Sequence, residues 1–331
     1  MDPVAHASPA SELQLPAPVL DDLARVETRL AAELASREPR LTQIAAHLVG
    51  AGGKRVRPLV VLLTAYAAAR GVPSRREDVV EAAVALELIH SATLLHDDII
   101  DGGETRRGKP SALAVYGLGD TLVAGDFLFC RAFALCARFE PTVIRWAAEA
   151  CVALTEGEIL QARFRRNPAV TPDDYVTIVD RKTAALFATG ARTAAHLADA
   201  PAELVEAMRA CGAHVGRAFQ MQDDLLDVEG ATARTGKPRG LDLRDGNPSL
   251  PIVLALPKDR DVARIFALEQ PSAAEIETGL ARIRRTGVCA TIADRARVEL
   301  EAARTEILRL PSSDYRLALE TLAHGLGERS A

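Results

Sequence analysis

Apolar residues recur every three or four positions along most of this chain, a spacing that predicts helices rather than strands. The pattern begins over 19–34, returns over 41–49 and 59–70, and becomes nearly continuous from 77 to 100. It resumes over 121–139 and 142–164. Thr171, followed by Pro172 and then Asp174 three residues on, reads as the N-cap of a further helix that runs to about 197. A long pattern over 204–227 is followed by a polar interval rich in Gly and Pro, 231–251. Shorter helical patterns complete the chain over 252–256, 262–268, 273–286, 289–308 and 312–327. No segment sustains period-two alternation, so the expected fold class is all-α, a single-domain helical bundle. Residues 1–18, rich in Ala and Pro, lack the basic start and apolar stretch of a signal peptide and read as a flexible tail, with 19–331 as the domain.

Two of the long helices end in acid. In Leu94-Leu95-His96-Asp97-Asp98-Ile99-Ile100-Asp101 the first and last aspartates are i and i+4, about 6 Å apart along a helix axis, with Asp98 about 100° further round. One such cluster suits a solvated acidic face. A second follows the same spelling, with Asp223, Asp224 and Asp227 at the end of 219–227. Carboxylates at a helix C-terminus oppose the macrodipole, a cost that a bound cation would offset. All-oxygen clusters without nearby cysteine suit hard cations, and Mg²⁺ takes one or two carboxylates with phosphate and water completing its octahedron. The pair therefore predicts a magnesium-diphosphate clamp.

Such a clamp needs cations as partners for the phosphates, and the chain supplies them in loops and in mid-helix. The stretch 50–58 combines glycines with Lys54, Arg55 and Arg57 ahead of Pro58, without the spacing of a Walker A loop. Arg106, Arg107 and Lys109 directly follow the first acidic cluster, and an arginine pair there suits bidentate phosphate contacts. Lys182 and Thr183 lie in mid-helix, and Lys237 and Arg239 lie in the polar interval after the second cluster, where a lid is expected. His90 precedes Asp97 by seven residues, two turns back on nearly the same face.

Composition narrows the alternatives. With 48% hydrophobic residues the chain can bury a sizeable core, and it contains no run of about 18 uncharged apolar residues. A net charge of −5 argues against a nucleic-acid partner. Five cysteines without CxxC spacing read as buried thiols in a cytoplasmic protein.

The motifs GGKRVRP, LLHDDIIDGGETRRGKP, DRKTAALFATG, FQMQDDLLD and GKPRGLDL, in this order, resemble the trans-isoprenyl diphosphate synthases, or polyprenyl synthetases. The resemblance covers about 23–256. It implies the isoprenoid synthase fold, a helical bundle around a central cavity, usually homodimeric, in which an allylic diphosphate ionises and isopentenyl diphosphate attacks head to tail. It implies Asp97, Asp101 and Asp223 as the main Mg²⁺ ligands, with Asp98, Asp224 and Asp227 completing or supporting the site. By the same resemblance Lys54, Arg57, His90 and Arg107 hold isopentenyl diphosphate, while Arg106, Lys182 and Lys237 hold the allylic diphosphate. Thr183 and Gln220 match polar groups near the developing cation. The chain departs from the family at Gly246-Asn247-Pro248-Ser249-Leu250-Pro251, where relatives often carry a lysine.

Bulky aromatics at the fourth and fifth positions before the first aspartate stop chain growth in short-chain members of this family. Here those positions hold Thr93 and Ala92, with Leu88 and Ile89 one turn back. A helical turn is about 5.4 Å, roughly one isoprene unit, so an open path implies a long product of about six to ten units, or about thirty to fifty carbons. Farnesyl or geranylgeranyl diphosphate is the expected primer, and no stable membrane insertion is expected. Phe127, Phe129 or Phe133 on a facing helix would set a shorter limit, giving geranylgeranyl diphosphate instead. A terpene cyclase would need no second diphosphate pocket. A non-catalytic helical partner protein would explain the helices and predict no Mg²⁺-dependent turnover.

Overall fold

The computed structural model describes residues 14–106, 108–230 and 239–327. The expected helices are present, with shifted ends. In order they are α1 (Ala17–Glu33), α2 (Pro39–Val49), α3 (Val56–Ala69), α4 (Arg76–Ile100), α5 (Ala112–Tyr116), α6 (Leu118–Cys136), α7 (Pro141–Phe164) and α8 (Pro172–Val179). After a π-helical turn, Asp180–Ala184, come α9 (Ala185–Leu197), α10 (Ala202–Glu229), α11 (Leu241–Asp245), α12 (Leu250–Ala255), α13 (Arg260–Phe266), α14 (Ala273–Arg285), α15 (Val288–Ile307) and α16 (Asp314–Gly327).

Several local features depart from the expectation, among them the short helices α5 and α11, where no helix was expected. A two-residue-per-strand hairpin, β1 (Thr105–Arg106) with β2 (Lys109–Pro110), lies where only a loop was expected. Its strands are too short to leave an alternating pattern. The helix α3 starts at Val56 rather than at 59, placing Arg57 inside its first turn; Pro58 is tolerated there because first-turn N–H groups have no intrahelical partner. The π turn interrupts what reads in sequence as one continuous helix. The Thr171 cap is as expected: its hydroxyl accepts from Asp174 N while the Asp174 side chain accepts from Thr171 N, a full capping box.

The chain divides into two compact units. The first takes the chain up to Ala148, with Thr189–Arg209 and Glu306–Leu322; the second takes Glu149–Ala188, Ala210–Thr305 and the chain from Ala323. In the first unit α4 is the central element, packed against α6, α3 and α1. Its length and apolar character are those of a membrane span, yet 78% of its apolar window is buried inside the protein, as in a core helix. The two acids within that window are paired: Glu81 meets Arg29 (3.1 Å) and Arg138 (3.2 Å), and Glu87 meets Arg55 (3.0 Å). In the second unit the core gathers Tyr175, Met221, Leu225, Leu243, Ile252, Phe266 and Ile292 around the end of α10.

Candidate active site

The first acidic cluster closes α4. Asp97 and Asp98 lie in its last turn, and Asp101 is its C-cap, donating its N–H to the Asp97 carbonyl (2.8 Å). Asp97 and Asp101 are partly exposed, whereas Asp98 is only 2% exposed. A buried carboxylate needs a partner, and Arg106 from the hairpin supplies it through Nε (2.8 Å) and Nη2 (2.7 Å), both to Oδ1. The sequence places Arg106 on a diphosphate; the structure also shows it tying the hairpin to the end of α4. Asp98 Oδ2 is buried and accepts no hydrogen bond from the described residues.

Of the three cations in 50–58, one belongs to the fold. Arg55 sits in the left-handed region (φ 48°) as N-cap of α3 and contacts Glu27 (2.5 Å) and Glu87 (3.0 Å). Lys54 is exposed and Arg57 half-buried. His90 is also half-buried. Arg107 and Lys237 lie outside the described residues, as does the first part, 231–238, of the expected lid; the rest of that interval holds α11 and the start of α12.

The growing-chain positions are all on α4 and buried: Leu88 0%, Ile89 1%, Ala92 0% and Thr93 8% exposed. The facing helix is α6, but its inward face is Thr121, Ala124, Gly125, Leu128 and Ala132. The three phenylalanines named as possible barriers lie elsewhere on it. Phe133 is 45% exposed, Phe129 stacks on it at 6.2 Å and leans on His96, and Phe127 is half-buried. Helical periodicity explains this, since 127, 129 and 133 fall outside the 121, 124, 128, 132 stripe.

The second unit carries the other half of the candidate residues, on α10 and the π turn. Asp223 is exposed, Asp224 is 4% exposed and Asp227 half-buried. Asp224 accepts from Leu250 N (3.0 Å), capping α12, and from Gln220 Nε2 (2.9 Å). Burial pushes its carboxyl up to about 6 against the pull of these hydrogen bonds. Asp227 accepts from Leu241 N (3.0 Å) and Asp242 N (3.2 Å), capping α11. Gln220 in turn accepts from the Thr183 hydroxyl (2.9 Å), so the two residues expected near the developing cation are joined to the acidic cluster in one line.

Lys182 lies on the π turn and pairs with Glu158 of α7, a residue that the sequence did not single out. The turn approaches α7 so closely that a Cβ at Gly157 would lie 2.7 Å from the Lys182 backbone nitrogen, which admits glycine alone. Neither Glu158 nor Gly157 has a signature visible without the partner helix. π-Helical turns are rare and concentrate at functional positions, which agrees with the placement of Lys182 and Thr183 here.

Among the described residues no three of His, Cys, Asp and Glu form a ready-made metal cage. Mg²⁺ needs none, because one or two carboxylates suffice when substrate phosphate and water complete its shell. Taken separately, each cluster offers an all-oxygen donor set that fits such an ion: the first has a partly exposed Asp97 and the buried Asp98 Oδ2 without a hydrogen bond, the second an exposed Asp223.

Comparison with known proteins shows the family. The chain is 34% identical to an all-trans-nonaprenyl-diphosphate synthase (geranyl-diphosphate specific) of Rhodobacter capsulatus, over 92% of this chain and 94% of that one. It is 34% identical to the octaprenyl diphosphate synthase of Escherichia coli, over 92% and 94%. A crystal structure of polyprenyl synthase from Caulobacter crescentus, complexed with calcium and isoprenyl diphosphate, superposes with a TM-score of 0.90 at 33% identity, covering 95% of this chain and 96% of that one. The sequence model described as polyprenyl synthetase matches residues 38–280, and the chain, with its all-α isoprenoid synthase fold, belongs to that family of prenyltransferases.

Proposed function

We propose that this enzyme condenses isopentenyl diphosphate head to tail with an allylic diphosphate, in the presence of Mg²⁺, to make an all-trans long-chain polyprenyl diphosphate. Asp97, Asp101 and Asp223 would be Mg²⁺ ligands, with Asp98, Asp224 and Asp227 completing or supporting the site. When bound, Mg²⁺ neutralises charge that grows on the departing diphosphate. Lys182 and Arg106 add fixed positive charge for the same leaving group, and Lys54, Arg57 and His90 hold isopentenyl diphosphate. Thr183 and Gln220 place oxygen dipoles near the allylic cation. Apolar walls from α4 keep water from that cation. The departed diphosphate is the proton acceptor in the last step, since no side chain of the set is a strong base.

The observation that carries the long-chain reading is Ala92, a small side chain fully buried on α4, the helix packed against α6. The relatives named as octaprenyl and nonaprenyl synthases support it. Incubating the purified protein with Mg²⁺, isopentenyl diphosphate and farnesyl diphosphate, followed by chromatography, tests it: products of about thirty or more carbons are expected, since each helical turn passed admits roughly one unit. Ala92→Phe shortens them. A wild-type product of about twenty carbons would reject the open path and leave geranylgeranyl synthesis.

A homodimer is part of the same proposal. Val115, Leu118, Leu122 and Phe133 are 48%, 59%, 43% and 45% exposed along α5 and α6, at helical spacing. Such a stripe is what a second copy would cover, and sedimentation at micromolar concentration tests it.

A further inference from the structure

The π turn that carries Lys182 and Thr183 is fastened at its first residue twice. The Asp180 carbonyl accepts from Ala185 N, the wide i→i+5 ring that defines the turn. Its carboxylate accepts two bonds from Arg217 of α10, Nε to Oδ1 at 2.5 Å and Nη2 to Oδ2 at 3.0 Å. This fork-on-fork geometry fixes direction as well as distance. Arg217 is itself braced by Glu299 of α15 (3.6 Å), which also holds His214 Nδ1 (2.6 Å). One residue before Arg217, a Cβ at Gly216 would lie 2.6 Å from Ala184 Cα, so α10 lies directly against the last residue of the turn.

The helix α10 thus bears Arg217 and Gly216 against the turn, Gln220 against Thr183, and the acidic cluster one turn further on. We propose that Arg217, through Asp180, is a positioning residue that keeps Lys182 and Thr183 in register with Asp223 and so sets the capture of the allylic diphosphate. The inference rests on the assignment of Lys182 to that diphosphate. An ordinary α turn through the same residues would close one residue earlier, and side chains there rotate by about 100° per residue. Without the Arg217 fork the turn relaxes toward that geometry and carries the Lys182 ammonium away from its place.

The test is steady-state kinetics on the full-length enzyme with Mg²⁺, varying isopentenyl diphosphate and farnesyl diphosphate separately, together with calorimetric binding of farnesyl thiolodiphosphate. Arg217→Met and Asp180→Asn each raise KM for the allylic substrate and Kd for the thiolo analogue about tenfold, while KM for isopentenyl diphosphate stays within about twofold. The double variant is no worse than either single one, because both remove the same contact. Arg217→Lys, which keeps the charge and loses the fork, lies between. Unchanged allylic constants, an equal rise for both substrates, or additive losses in the double variant would overturn the proposal. Should Arg217→Met not fold, Asp180→Asn alone carries the same readings. Lys182→Gln separates the two levels: a large allylic defect there with none in Arg217→Met sinks the clamp only, and no allylic defect in Lys182→Gln sinks the assignment of Lys182 and the clamp with it.

Discussion

In the first acidic cluster Asp98 is buried against Arg106, and in the second Asp224 is buried against Gln220 and the N-terminus of α12. In both, the preceding aspartate, Asp97 or Asp223, faces outward. The third differs: Asp101 ends its own helix, while Asp227 starts another by capping α11. Two stretches with one spelling therefore divide labour in the same way at the first two positions and differently at the third. The middle aspartate anchors, the first is the more accessible, and in the second cluster the third aspartate also caps a following helix.

The strongest test of this division is activity set against stability. Asp97→Ala and Asp223→Ala are each expected to lower kcat by about a thousandfold or more, in line with losing charge stabilisation at a leaving group, while the thermal midpoint without metal stays unchanged. A large fall in that midpoint would show that these residues, too, hold the fold.

The second test uses pH and concerns the anchor of the second cluster. The Asp224 carboxyl is raised to about 6, above the ordinary value of about 3.9, with burial the cause. A raised folded-state value means that its stabilising contribution is complete below about pH 3.9 and is lost as pH climbs through 6. Urea unfolding in EDTA should therefore show wild type losing up to about 3 kcal/mol over that window relative to Asp224→Asn, which cannot ionise. Parallel pH curves for the two proteins would remove Asp224 as the buried, titrating anchor.

The smallest expected effect separates the third positions. Asp227→Ala removes two N–H acceptors at the start of α11 and should cost about 1 kcal/mol. Asp101→Ala keeps the C-cap backbone bond to the Asp97 carbonyl and should cost under about 0.5 kcal/mol in the same unfolding measurement. Equal losses would erase the asymmetry.

How much of this was legible in the sequence follows from how local each cause is. Helices, the Thr171 capping box and the two acidic clusters announce themselves through neighbours a few residues apart. The anchoring of Asp98 and Asp224 depends on Arg106 and Leu250, eight and twenty-six residues downstream, and carries no spacing rule. The π turn is invisible because Asp180-Arg181-Lys182-Thr183-Ala184 suits an α-helix equally well; only Gly157 and Gly216, read with their partner helices, betray the close approach. Arg55 illustrates the opposite risk. It stands between Lys54 and Arg57 in a basic loop, yet Glu27 and Glu87 claim it for the fold.

The capping of α11 by Asp227 also bears on how the family can vary. The Asp227 carbonyl accepts from Gly240 N (2.9 Å), its side chain from Leu241 N, and Gly230 N is bonded to the Leu226 carbonyl, so 230 and 240–241 are both tied to the last turns of α10. The entropy of bringing those two points together is met by the fixed flanks, and doubling the length of sequence between them adds only about 0.6 kcal/mol. Loop closure alone therefore sets only a weak limit on the length of that interval, while Asp227, bonded on both of its sides, keeps its place at the end of α10.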